Sequence, residues 1–207
     1  LPLEVVLNVI TCSLPSNLDT ILPASHPTTK LLLSFSLVCQ ETRRLAQRYL
    51  RKHCFYIDKA RRLSSILLQI PKRPELRNVD SLYLSPFGAT LDDQPTAFWS
   101  RELLLYTYKV LKRLVITFPF KTLYLEHDHL NIRRILYEGL ANLETIEEFV
   151  SVQDELGLHD NLYLGLPLWA HWPNLRRLAL CGICPNPAFW HDIAQVPALE
   201  NVVLTEP

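Results

Sequence analysis

Apolar residues recur along the chain in two rhythms. Over residues 4–14, Val5, Val6, Val9, Ile10 and Leu14 return at close to helical spacing, and Pro2 sits where a first helical turn tolerates proline. A short amphipathic helix is expected there. Pro15, Pro23 and Pro27, mixed with Ser, Thr and Asn, make the next stretch a loop. Two more helices are expected over 29–36 and 39–51, the second with Arg43, Arg44, Gln47, Arg48 and Arg51 on its wet side. Residues 53–57 read as a short strand, and Asp58 opens a helix to Gln69 that Pro71 and Pro74 end.

Beyond residue 71 the rhythm becomes a nine-residue frame with apolar residues at its first, fourth, seventh and ninth positions. Leu76, Val79, Leu82 and Leu84 fill one copy; Trp172, Leu175, Leu178 and Leu180 fill another; Val196, Leu199, Val202 and Leu204 fill a third. Two copies are weaker: Phe120, Leu123 and Leu125 lack the first position, and Leu140, Leu143 and Ile146 meet Glu148 at the last. The last two full copies stand 24 residues apart, a period within the leucine-rich-repeat range, where a short strand lines one face and a helix or turn packs behind. Helices between copies are expected over 98–116, 131–140 and 187–195. The 41 residues from Leu84 to Leu125 make the repeats irregular.

Composition narrows the function classes. With 207 residues, 48% of them apolar, the chain can build a real core and is a poor candidate for disorder. Twenty-one Lys plus Arg balance twenty-one Asp plus Glu, so no whole-molecule field draws nucleic acid or an anionic membrane. Locally the charge is uneven: residues 40–80 hold eleven basic and four acidic residues, and residues 126–160 hold nine acids and two arginines. No apolar run reaches the length of a membrane span, and the start lacks a basic leader and a cleavage pattern, so an intracellular location, cytoplasmic or nuclear, is expected. Five irregularly spaced cysteines predict free thiols rather than a disulfide framework. The lack of Met, even at position 1, predicts a trimmed start or a fragment.

The opening Leu1, Pro2, Glu4, Val5 and Ile10, then the 33–37 run and Val38-Cys39, resemble an F-box. The resemblance covers about residues 1–50, and the sequel resembles the irregular leucine-rich-repeat region of F-box proteins common in filamentous fungi. Two features depart from the family: Thr42 replaces an aromatic residue, and the linker between the first two helices is long and proline-rich. The resemblance implies an α/β chain with a small all-helical F-box-like domain at 1–52, then an irregular leucine-rich-repeat-like solenoid at 53–207. Its end directly after a repeat strand leaves room for further repeats. It implies a substrate-recognition adaptor of an SCF-type cullin-RING ubiquitin ligase, with a protein substrate held on the repeats. The Skp adaptor would dock on Leu1, Pro2, Glu4, Val5, Val6, Val9, Ile10, Leu33, Leu37, Val38 and Cys39.

The apolar pattern agrees with a docking role. Pro2, Val5, Val6, Val9, Ile10, Leu33, Leu37 and Val38 exceed what three short helices bury alone, and each aliphatic side chain covered is worth roughly 1.5–3 kcal/mol. The alternative is that this face packs on residues 54–70, making the helices the N-terminal cap of a non-ligase interaction scaffold.

Chemistry-bearing clusters are sparse. Cys181-Gly-Ile-Cys184 has redox spacing, but Pro185 and Pro187 place the next helix start after the pair, and two ligands do not complete a zinc site. His127 and His129 supply half a metal site with no third ligand in view. The five glycines are never grouped into a phosphate loop. No catalytic, cofactor or metal residue is therefore assigned; an enzyme reading would need a pocket joining His127, His129 or His191 to carboxylates. Nucleic-acid contact through Arg43, Arg44, Arg48, Arg51 and Lys52 is disfavoured, since that stripe lacks interleaved aromatics. Trp99, Trp169, Trp172, Phe189 and Trp190 are expected mostly between repeats, as core.

Overall fold

In the computed structural model, which describes residues 2–15, 20–153, 167–183 and 185–205, three helices come first. They are α1 (Leu3–Cys12), α2 (Pro27–Phe35) and α3 (Gln40–His53). Pro27 stands at the start of α2, and the His26 side chain accepts from the Thr28 N–H at 3.2 Å. At the start of α3 the Cys39 N–H donates to the Thr42 hydroxyl at 3.1 Å and the Cys39 sulfur lies 3.4 Å from it, a reciprocal cap. Buried Thr42 thus has a capping task that no aromatic side chain could perform.

After α3 strands and helices alternate: β1 (Tyr56–Ile57), α4 (Ala60–Gln69), β2 (Ser81–Leu84), α5 (Gln94–Thr107), β3 (Arg113–Ile116) and α6 (Ile132–Ala141). Then come β4 (Glu148–Ser151), β5 (Arg177–Cys181), α7 (Pro187–Ala194) and β6 (Asn201–Thr205). The six strands form one parallel sheet in chain order. Every crossover steps in the same direction, so right-handed connections set the linking helices on one face. Accordingly α4 packs on α5, and α5 on α6.

The period-two pattern of the strands decides what is buried. Leu82, Leu84, Leu114, Ile116, Phe149, Leu178 and Leu180 turn into the main core, while Tyr83, Val115, Val150 and Ala179 alternate with them and stay half-buried. Phe149 meets Trp172 at 4.8 Å between ring centroids, and the Trp172 indole N–H donates to the Leu140 carbonyl at 2.9 Å. Gly139 lets α6 approach α5, since a Cβ there would stand 3.0 Å from the Arg101 Cα. Asp128 caps α6, accepting from the N–H groups of Ile132 and Arg133 at 2.7 and 2.9 Å.

These observations correct the expected architecture. The N-terminal helices are tied into the sheet: α3 packs against β2, and Lys52 and His53 at its end share a cavity with Asp80 and Ser81 at the start of that strand. The chain is one α/β unit with a six-stranded parallel sheet flanked by helices, not a small all-helical F-box-like domain followed by an irregular leucine-rich-repeat-like solenoid. The physical reason lies in the frame itself. Its spacing marks a turn followed by a strand with alternate residues buried, which a parallel sheet with helical crossovers supplies at every strand.

The expected 98–116 helix is also corrected, because α5 ends at Thr107 and Arg113–Ile116 is strand. Tyr108, Leu111, Leu114 and Ile116 are a further copy of the frame. The weak copy at 120–125 falls on 3₁₀ turns, and the one ending at Glu148 is shifted by one turn from the pattern Leu143, Ile146, Phe149 that leads into β4.

Candidate docking surface

Three helices this short bury little. Their core is Ile10, Leu22, Leu32, Ala46 and Cys54, with Leu7, Leu14, Phe35, Leu45, Tyr49 and Leu50 packed partly against it. Helix α1 buries Ile10 alone, and α2 buries Thr28, Thr29 and Leu32. What remains faces solvent: Leu3, Val5, Val9, Leu31 and Leu33, and in the turn before α3 Leu37 and Val38, 87% and 66% exposed.

Of the residues expected to dock a partner, Leu1 lies outside the described residues. Pro2, Glu4, Val5, Val9, Leu33, Leu37, Val38 and Cys39 are exposed, and Val6 is half-buried. Ile10 is fully buried and holds the helices together. The start of α2 is linked to the end of α1 by the Thr28 hydroxyl, which donates to the Ser13 carbonyl at 3.3 Å.

Leu33 also reaches a cavity of about 250 Å³ between α2, α3, α4 and the turn at 73–76. Its apolar wall includes Leu50, Phe55 and Leu76, and Arg51, Arg62 and Arg73 lie along it. Sequence reasoning missed this cavity, because its wall is drawn from separate elements and no periodicity links them. Beneath it Cys54 is buried, with the Thr29 hydroxyl 3.5 Å from its sulfur. Burial pushes the Cys54 thiol up, and the hydrogen bond from Thr29 works the other way, so the thiol stays neutral and is a packing group.

A second polar region, also unforeseen, lies at the start of the strands. A cavity of about 330 Å³ there is lined by Lys52, His53, Asp80, Lys112, Arg113, Glu147, Glu148 and Arg177, among others. Lys112 pairs with Glu147 at 2.8 Å, Arg113 with Glu148 at 2.9 Å, and Arg177 with Glu148 at 2.6 Å. These charges satisfy one another across neighbouring strands, which makes the cavity a poor trap for a free ion.

The remaining candidates are dispersed. His127 and His129 lie on exposed turns, with His127 Nε2 3.9 Å from Glu126. Cys181 is half-buried, and Cys184 lies outside the described residues. Among the described residues no three His, Cys, Asp or Glu side chains are gathered for a metal ion. Trp169, Trp172 and Phe189 are buried, whereas Trp99 and Trp190 are partly exposed. No helix among the described residues is long and apolar enough to cross a membrane.

Compared with family models, curated proteins and solved structures, the chain matches none. With one α/β unit in place of a box and a solenoid, the resemblance to fungal F-box proteins is withdrawn, together with the F-box, leucine-rich-repeat, SCF and ubiquitin-ligase labels that came with it.

Proposed function

We propose that the chain is a non-catalytic protein-binding adaptor that docks an apolar segment of a partner on its N-terminal helices. The observation that carries this reading is the exposure of aliphatic side chains there, above all Leu37 and Val38. Covering each is worth roughly 1.5–3 kcal/mol, and a few such side chains at the centre of an interface commonly dominate affinity. The Skp adaptor that the opening residues suggested is the first partner to assay.

The test is a calorimetric titration with that adaptor, run beside binding of a hydrophobic-surface dye, on the parent chain and on a Leu37→Asp/Val38→Asp variant. A one-to-one complex and strong dye binding, both lost in a variant with unchanged circular dichroism, support the reading. A folded parent that binds no adaptor and takes up no more dye than the variant overturns it.

A further inference from the structure

Strands β3 to β6 all begin with the same device. Two consecutive N–H groups at the start of each donate to a single carbonyl of the strand before. Lys112 and Arg113 donate to Asp80 at 2.9 and 3.0 Å, and Glu147 and Glu148 to Lys112 at 2.7 and 2.9 Å. Arg176 and Arg177 donate to Glu147 at 2.8 and 3.1 Å, and Glu200 and Asn201 to Arg176 at 2.8 and 3.0 Å. The next carbonyl in the series is that of Glu200, to which no described residue donates.

The side chains on this row alternate in sign. Acidic Asp80 is followed by Lys112-Arg113, then Glu147-Glu148, then Arg176-Arg177, then Glu200. An interior acid serves both neighbours, as Glu148 does in holding Arg113 from one strand and Arg177 from the next. Glu200 meets a base on one side only, Arg176 at 3.7 Å, and its side chain is 60% exposed.

The edge of β6 is open in the same sense. Asn201 and Thr205 direct their backbone bonds to the β5 side, through Arg176 and Gly182, so the parallel pattern points the N–H and C=O groups of Val202 and Leu204 outward. Within Asn201–Thr205 there is no proline and no charge, none of the usual means of blunting an edge. Val202 and Leu204 stand in the row that is buried at Leu178 and Leu180, yet they are only half covered, and Val203 is 52% exposed.

We propose that the outer edge of β6 accepts one more parallel strand, supplied by a partner protein, that begins with two basic residues followed by an apolar, any, apolar triplet. The molecule contains this template twice, each time beside an acidic strand start: Lys112-Arg113-Leu114-Val115-Ile116 and Arg176-Arg177-Leu178-Ala179-Leu180. The partner's two N–H groups would complete the Glu200 carbonyl, its bases would take the free side of the Glu200 carboxylate, and its apolar pair would cover Val202 and Leu204. Backbone pairing supplies affinity and the charged row supplies register. A second copy of this chain is a poorer occupant: paired parallel, two β6 strands would set Glu200 against Glu200, and paired antiparallel they bring it no base, since Asn201–Thr205 holds none.

The test is a fluorescence-anisotropy titration with labelled peptides Lys-Arg-Leu-Val-Ile-Thr and Glu-Glu-Leu-Val-Ile-Thr. The basic peptide is expected to saturate the chain one to one, to bind Glu200→Lys about tenfold or more weakly, and to lose to the acidic peptide on that variant. Val202→Pro, which removes an outward N–H and no bond to β5, should weaken binding by a similar factor with circular dichroism unchanged; Leu204→Pro repeats the test should Val202→Pro unfold. Failure of both peptides on a folded chain, or equal binding to Glu200→Lys, overturns the proposal. So does a dimer that Val202→Pro dissolves, which gives the edge to a second copy. Loss of peptide binding in a chain extended past residue 207 gives it to the polypeptide's own next segment and likewise overturns it.

Discussion

The sheet and the N-terminal helices bury their apolar residues to very different degrees. Across the sheet, Leu82, Leu114, Phe149 and Leu178 are almost wholly enclosed between strands and crossover helices. In α1–α3 a small core leaves Val5, Val9, Leu33, Leu37 and Val38 in water. A parallel strand is covered by its neighbours on two sides and by a crossover helix on a third face, whereas each short helix has one packed stripe. Stability is therefore concentrated in the sheet, and exposed binding capacity at the helices.

Mutations should break this contrast in a definite order. Phe149→Ala, in the enclosed core against Trp172, is expected to cost about 3–5 kcal/mol and to lower the urea midpoint of the whole unit. Ile10→Ala should cost about 2–3 kcal/mol, near the low end for aliphatic truncation, because half-exposed Leu7 and Leu14 can relax toward the gap. Its signature is faster hydrogen exchange confined to α1–α3; equal acceleration in the sheet would show that the two regions open together.

The charged row offers a finer comparison. Glu148→Gln removes a carboxylate that two arginines share, and should cost about 1–2 kcal/mol, measured by denaturant unfolding at low salt. Glu200→Gln, at the exposed edge, should change stability by less than about 0.5 kcal/mol. Similar losses from both would mean that the interior rung gains nothing from having two partners.

The smallest expected effect is a pH dependence. Burial holds the Cys54 thiol above its ordinary value of 9.0. The unfolded thiol ionises near pH 9 while the folded one stays neutral, so stability is intact below pH 9 and falls as pH rises from there toward the folded value. Melting temperature followed from pH 8 to 10 should decline less steeply in Cys54→Ala than in the parent.

Much of this arrangement is legible from local pattern. The helix expected over 187–195 is α7, Pro187–Ala194, and Asn186 supplies its cap by accepting from the Phe189 N–H at 2.8 Å. Full frames ending at Leu84, Leu180 and Leu204 each close on a strand. The frame at β3 is masked because Phe98, Leu103 and Leu104 run on into it with helical spacing. Helical periodicity marks Val5 and Val9, which are exposed, but Ile10, on the same stripe, is turned inward. Helical spacing identifies an apolar stripe without saying which part of it a neighbouring helix will cover.

By itself the sequence determined most of the helices, the strands that close the three full frames, and that apolar surface exceeds what the first helices can cover. These follow from spacing, caps and side-chain size, which act over a few residues. Only the tertiary structure decided that the strands join one parallel sheet in chain order and that Glu148 serves both Arg113 and Arg177. It alone leaves Glu200 with a base on one side. Those pairings join residues a full crossover apart, and the distance between them is set by strand register, which local spacing does not encode.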